Sequence, residues 1–195
     1  RGLSRQVSVT GQNAGKDEEE SWLIFERSVL IPGKSETVRV EIGFRLEAED
    51  KAKKSPERIV KVKDSPLVVY FPTEKETNLG FLIQGPYKTT PSRDNIPKDD
   101  VWNETLIKET AELIVDTLFE VKSLGLLSVS FLETLPIRVE DFPDDSMFYP
   151  IFESVRNILI EEELLPADDG SFVSADNAKL ARGGELRKLL NYDQL

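Results

Sequence analysis

Near residue 100 the spacing of the apolar residues changes from two to about 3.6, which restricts the chain to a sheet followed by helices. The clearest alternation begins at Val38, where Val38, Val40, Ile42, Phe44 and Leu46 fall on one side and Arg39, Glu41, Arg45 and Glu47 on the other. That pattern is a strand with one buried and one wet face. Residues 22–31 read as its antiparallel neighbour, stopped by Pro32-Gly33. Short apolar runs at 59–63, 67–71 and 81–83 add strands, separated by a charged loop at 48–57, a turn at 64–66 and a polar connection at 72–78.

Past that point Asp99 or Asp100 is placed to cap a helix carrying Leu106, Ile107, Leu113, Ile114, Leu118, Val121 and Leu124 at helical spacing, with Gly125 as its stop. Residues 126–135 are apolar and fit a short helix or a strand, and Pro136 and Pro143 interrupt the chain. A second helix is expected over 147–164, with Phe148, Ile151, Phe152, Val155, Ile158 and Leu159 on its inner face. Phe172-Val173 suggests a small strand, and Ser174 a cap for a closing helix through Leu190. The expected fold class is therefore α+β: an antiparallel β-meander packed on a long helix, followed by a mainly helical C-terminal half. Three parts are expected: a flexible linker over 1–20, a sheet-and-helix domain over 21–125, and a helical subdomain over 126–195.

Two missing residue types narrow the chemistry. The chain has no histidine, hence neither the commonest general base nor the commonest transition-metal ligand. It has no cysteine, which excludes disulfides and thiolate sites and fits a reducing, cytoplasmic setting. No apolar run approaches a membrane span, and neither an EF-hand calcium loop nor a nucleotide-cradling glycine motif is present. Residues 1–100 carry 17 basic and 17 acidic side chains, so the second half holds the whole net charge of −11, which disfavours binding to nucleic-acid phosphates. The first residue is Arg1 rather than methionine, and the expectation is a piece of a longer protein.

Residues 79–103 are the richest in irregular, motif-like chemistry. A strand enters a Gly85-Pro86 corner, a proline-spaced polar loop presents Arg93, and Trp102-Asn103 opens the helix. Binding residues concentrate on such loops. A guanidinium there offers a planar fork to a phosphate. Lys88 adds a second positive charge, and Gln84, Thr89, Thr90 and Ser92 add neutral donors. Alternatively, Arg93 pairs with Asp94, Asp99 or Asp100 and only staples the loop. Trp102 reads as a core anchor or a stacking platform, and Asn103 as a brace for the loop or an ordinary first-turn residue.

The motifs Gln84-Gly85-Pro86-Tyr87, Ser92-Arg93-Asp94 and Trp102-Asn103 resemble the region that follows the ATP-binding domain in histidine-kinase-like ATPases of the heat-shock-protein-90 superfamily, sacsin-like members especially. The likeness is good over residues 81–118 and loose over about 150 residues. It implies a middle, or transducer, segment in which Arg93 reaches the terminal phosphate of ATP held by the preceding domain, with Lys88, Ser92 and Gln84 beside it. The family's ATP-binding signatures, an Asn-bearing helix and Asp-x-Gly-x-Gly loops, are absent from this sequence. ATP and magnesium are thus expected only together with a separate N-terminal domain of the same parent protein, and this chain alone is expected to be non-catalytic. A protein client is a further expected partner, and neither nucleic acid nor membrane is. The rival reading is a chaperone-like or scaffolding interaction module with no nucleotide role, betrayed by an exposed apolar stripe over 147–164. A third is a free-standing enzyme built on two converging carboxylates.

Overall fold

The computed structural model describes residues 3–13, 16–48, 57–91 and 95–179. Its strands are β1 (Leu3–Asn13), β2 (Lys16–Leu30), β3 (Thr37–Ala48), β4 (Glu57–Val60), β5 (Pro66–Val69), β6 (Phe71–Glu76) and β7 (Leu82–Gln84). There follow α1 (Val101–Ser123), α2 (Val129–Leu132), α3 (Tyr149–Glu161) and a small hairpin of β8 (Leu165–Pro166) and β9 (Phe172–Val173). A mixed seven-stranded sheet with helices after it is an α+β arrangement.

The sheet is not the simple meander expected. Its order is β1-β2-β3-β7-β5-β6, with β4 pairing farther along β3. Strand β7 inserts between β3 and β5, antiparallel to β3 and parallel to β5 through Val68 and Gln84. A parallel pair requires a crossover, and here the crossover runs out along β6 and back through residues 77–81. Buried Ser65 and Thr77 fasten it: their hydroxyls lie 3.0 Å apart, and Thr77 donates to the Ser65 carbonyl at 2.7 Å. The expected linker at 1–20 is instead occupied by β1 and the start of β2, paired continuously from Leu3 with Glu26 to Asn13 with Lys16. The polar connection expected at 72–78 contains β6. Both are edge strands, where charge and proline at exposed positions are tolerated and no apolar period develops.

The inner face of the sheet carries Phe25, Val40, Ile42, Phe44 and Ile83, all buried. Phe44 is the hub, its ring 6.1 Å from Phe25, 5.0 Å from Phe81 and 5.3 Å from Phe131 of α2. Helix α1 covers this face with Leu106, Ile107, Ile114, Leu118 and Val121. Arg27 of β2 holds it from the side, reaching Glu112 at 2.6 Å and Asp116 at 3.3 Å. The helix ends in a Schellman arrangement: Gly125, at φ 72°, donates to Lys122, and Leu126 donates to Val121.

The C-terminal part is not mainly helical among the described residues. Between 126 and 179 the helices are α2, α3 and a 3-10 turn at Val139–Asp141, and loops joined at Pro136 and Pro143 make up most of the rest. Helix α3 spans less than the expected 147–164, and its Ile151, Phe152, Val155 and Leu159 are buried. Residues 174–179 form a turn where a helix was expected to begin, and the remainder of that helix lies outside the described residues. This part is nevertheless tied to the sheet. Gly80 donates to the Thr134 carbonyl at 3.0 Å, an approach so close that a Cβ at position 80 would lie 2.5 Å from that oxygen.

Candidate functional site

The segment from β7 to α1 is built around three side chains that face inward. Gly85 gives room for the chain to fold back, since a Cβ there would meet the Tyr87 ring at 2.9 Å. Tyr87 is buried beneath α1 with its hydroxyl 3.3 Å from that of Thr110, and burial pushes the phenol well above its usual range. Trp102 is half-buried and donates its indole N–H to the Pro86 carbonyl at 3.1 Å. It is therefore a packing anchor that also stitches the corner to the helix.

Asn103 does most to fix the loop. It is fully buried. Its Oδ1 accepts from the Lys88 amide at 2.8 Å, while its Nδ2 donates to the carbonyls of Lys88 at 3.0 Å and Pro97 at 2.9 Å. One amide thus holds both limbs of the loop to the first turn of α1. Asp100 caps that turn, its Oδ1 accepting from the Trp102 and Asn103 amides at 2.9 and 3.3 Å. Its Oδ2 receives the Lys88 ammonium at 3.0 Å. The hydrogen bond from Lys88, aided by the two amides, holds the Asp100 carboxyl below the usual carboxylate range. Higher in the loop, the Thr90 amide donates to the Asn95 carbonyl at 2.9 Å, and the Asn95 amide donates back to the Thr90 hydroxyl at 3.2 Å.

Ser92, Arg93 and Asp94, which belong between those closed limbs in the chain, lie outside the described residues. Lys88 is committed to Asp100. Gln84 sits elsewhere, on the outer face of the sheet, donating to Glu41 Oε2 at 2.9 Å. The structure therefore does not bring Gln84 and Lys88 onto a common partner. Asn103 emerges as the brace that was one of its two sequence readings.

Sequence reasoning missed a cluster around Gln84. Glu26 of β2 and Glu41 of β3 are direct cross-strand partners, a like-charge pairing that needs compensation. Arg5 of β1 reaches Glu41 at 2.7 Å and Glu26 at 3.8 Å, and Arg39 reaches Glu26 at 3.1 Å. The outward alternation of Arg39 and Glu41 was the available signal, but Arg5 falls in a stretch expected to be a linker. Among the described residues no group of three or more carboxylates is placed to hold a metal ion, and no helix is long and apolar enough to cross a membrane. In comparisons with family models, curated proteins and solved structures, the chain matches none.

Proposed function

We propose that the chain is a non-catalytic middle, or transducer, segment of a larger cytoplasmic ATPase of the heat-shock-protein-90 kind, whose arginine loop completes a nucleotide site on a preceding ATP-binding domain. The supporting observation is the fully buried Asn103, which binds both limbs of the 88–97 loop to the start of α1. A phosphate-sensing loop needs such a base, because a contact at its tip has to bias the rest of the molecule. Arg93 would stabilise charge on the terminal phosphate of magnesium-bound ATP, and Ser92 and Lys88 lie within five residues of it in sequence. Release of Lys88 from Asp100 is the natural means of adding its charge. Movement of the loop would reach α1 through Asn103, and the sheet through Arg27.

The rival interaction module was tied to an exposed apolar stripe over 147–164. The inner residues of α3 are buried instead, which removes that particular surface. A carboxylate enzyme gains little from Glu26 and Glu41, since each is paired with an arginine. The deciding experiment is ATP turnover by the longer protein, wild type beside Arg93→Ala, with residues 1–195 alone as control. Turnover falling about 10²-fold or more in the variant, the scale for removing one charge-stabilising donor, supports the reading. Unchanged turnover in a folded variant overturns it. The isolated chain should bind ATP poorly and hydrolyse none.

A further inference from the structure

On the outer face of the sheet, away from α1, a cleft of about 360 Å³ is lined by Arg5, Arg39, Glu41, Tyr70, Gln84 and Pro86, among others. That volume is at the lower end of small-molecule sites. Its lining carries two arginines against one glutamate, and the arginines are the more exposed. Both oxygens of Glu41 are engaged, Oε1 by Arg5 and Oε2 by Gln84, and both oxygens of Glu26 accept from Arg39. The two carboxylates are only 14% exposed and act as internal supports. The Arg5 and Arg39 side chains are 51% and 59% exposed, and each guanidinium has five N–H donors. Among the described residues, Arg39 uses only Nη1 for hydrogen bonding and Arg5 only Nη2. Both arginines line the cleft, each is paired with Glu26, and each keeps donors beyond those used in the described hydrogen bonds.

Tyr70 is the second element of the cleft. It forms the one-residue turn between β5 and β6 at φ 61°, a left-handed conformation that residues with side chains seldom adopt. Glycine would fit that turn without strain. The residue present is instead a tyrosine, 77% exposed to solvent, at the wall of the cleft. Strain kept at an exposed aromatic beside paired guanidiniums is the pattern of a binding site rather than of a stability element.

We propose that this cleft binds a small molecule carrying an oxyanion, phosphate or carboxylate, on an aromatic ring, with Arg5 and Arg39 gripping the anion and Tyr70 stacking on the ring. The site is separate from the arginine loop and independent of the ATPase reading. Guanidiniums suit both oxyanions because their paired donors match two oxygens at once.

The test is NMR titration of the whole chain with phenyl phosphate, benzoate and inorganic phosphate, followed at the Tyr70, Gln84 and Gly85 amides. Saturable shifts with phenyl phosphate or benzoate, and weaker ones with inorganic phosphate, are expected. Whichever aromatic anion binds more tightly assigns the oxyanion. Arg39→Gln should weaken that binding by about tenfold or more, the scale of one charge-assisted hydrogen bond. Tyr70→Gly, which relieves the turn and should fold at least as well, should bring the aromatic anion down to the affinity of inorganic phosphate. No saturable shift with either aromatic anion overturns the proposal, as does affinity unchanged in a folded Arg39→Gln protein. Aromatic anions binding no better than inorganic phosphate to the wild-type chain also overturn it.

Discussion

The inner face of the sheet and the described limbs of the loop that leads into α1 are both held by their contacts, but the physics differs. The inner face is held chiefly by area: aromatic and branched side chains converge on Phe44. The loop has little apolar surface beyond Tyr87 and Ile96, and depends on a few directed bonds from Asn103, Asp100 and Trp102. Losses in the first region spread through the whole core. Losses in the second should stay local, because each bond has a specific donor and acceptor and few neighbours share it.

Phe44→Ala should show the largest effect. Removing a buried ring that touches three others costs about 3–5 kcal/mol. Thermal unfolding should record a large drop in Tm, with hydrogen-exchange protection lost across β2, β3 and α1 together. Asn103→Ala comes next. It leaves the Lys88 amide and the carbonyls of Lys88 and Pro97 without their partner, at about 1–3 kcal/mol for a group that stays buried. Exchange of the Lys88 amide should accelerate while protection in β3 stays as it was. If β3 loosened equally, the distinction between the two regions would fail.

The smallest effect concerns acid. Asp100 has a folded-state pKa below its ordinary value, chiefly through Lys88. Its stabilising contribution is therefore complete above the unfolded pKa of about 3.9 and is lost as pH falls through the lower folded value. Lys88→Gln should raise the Asp100 pKa toward normal and flatten the acid limb of the stability curve below about pH 4. NMR titration of the Asp100 carboxyl reads this directly. An unmoved pKa would mean that the helix-start amides alone set it.

How legible each region was in the sequence follows from the same physics. The core strand β3 announced itself because a half-buried strand must alternate, and α1 because its inner residues recur at helical spacing. Strands β1 and β6 were invisible because an edge strand with two exposed faces has no reason to alternate. The three-residue β7 carried no information about whether β3 or β5 would be its neighbour. Its insertion between them is set by the Ser65–Thr77 crossover, which joins residues distant in sequence. The loop's chemistry was visible as a motif, but the role of Asn103 was not. A single buried amide leaves no periodic trace, and its bonds exist only once both limbs are in place. The Glu26–Glu41 pair was hidden for another reason: the arginine that compensates it lies on the unrecognised first strand.

The backbone contact between Gly80 and Thr134 has a consequence for the order of folding. The two residues are far apart along the chain, and their approach leaves no room for a side chain at position 80. Local pieces such as the β1–β2 hairpin and α1 can form early at small entropic cost, whereas this contact must wait for the whole intervening stretch to be brought round. A contact formed after the transition state would add little to the speed of folding and contribute chiefly to the barrier against coming apart. The glycine would then act as a latch in time, slowing the opening of a sheet and helix assembled before it.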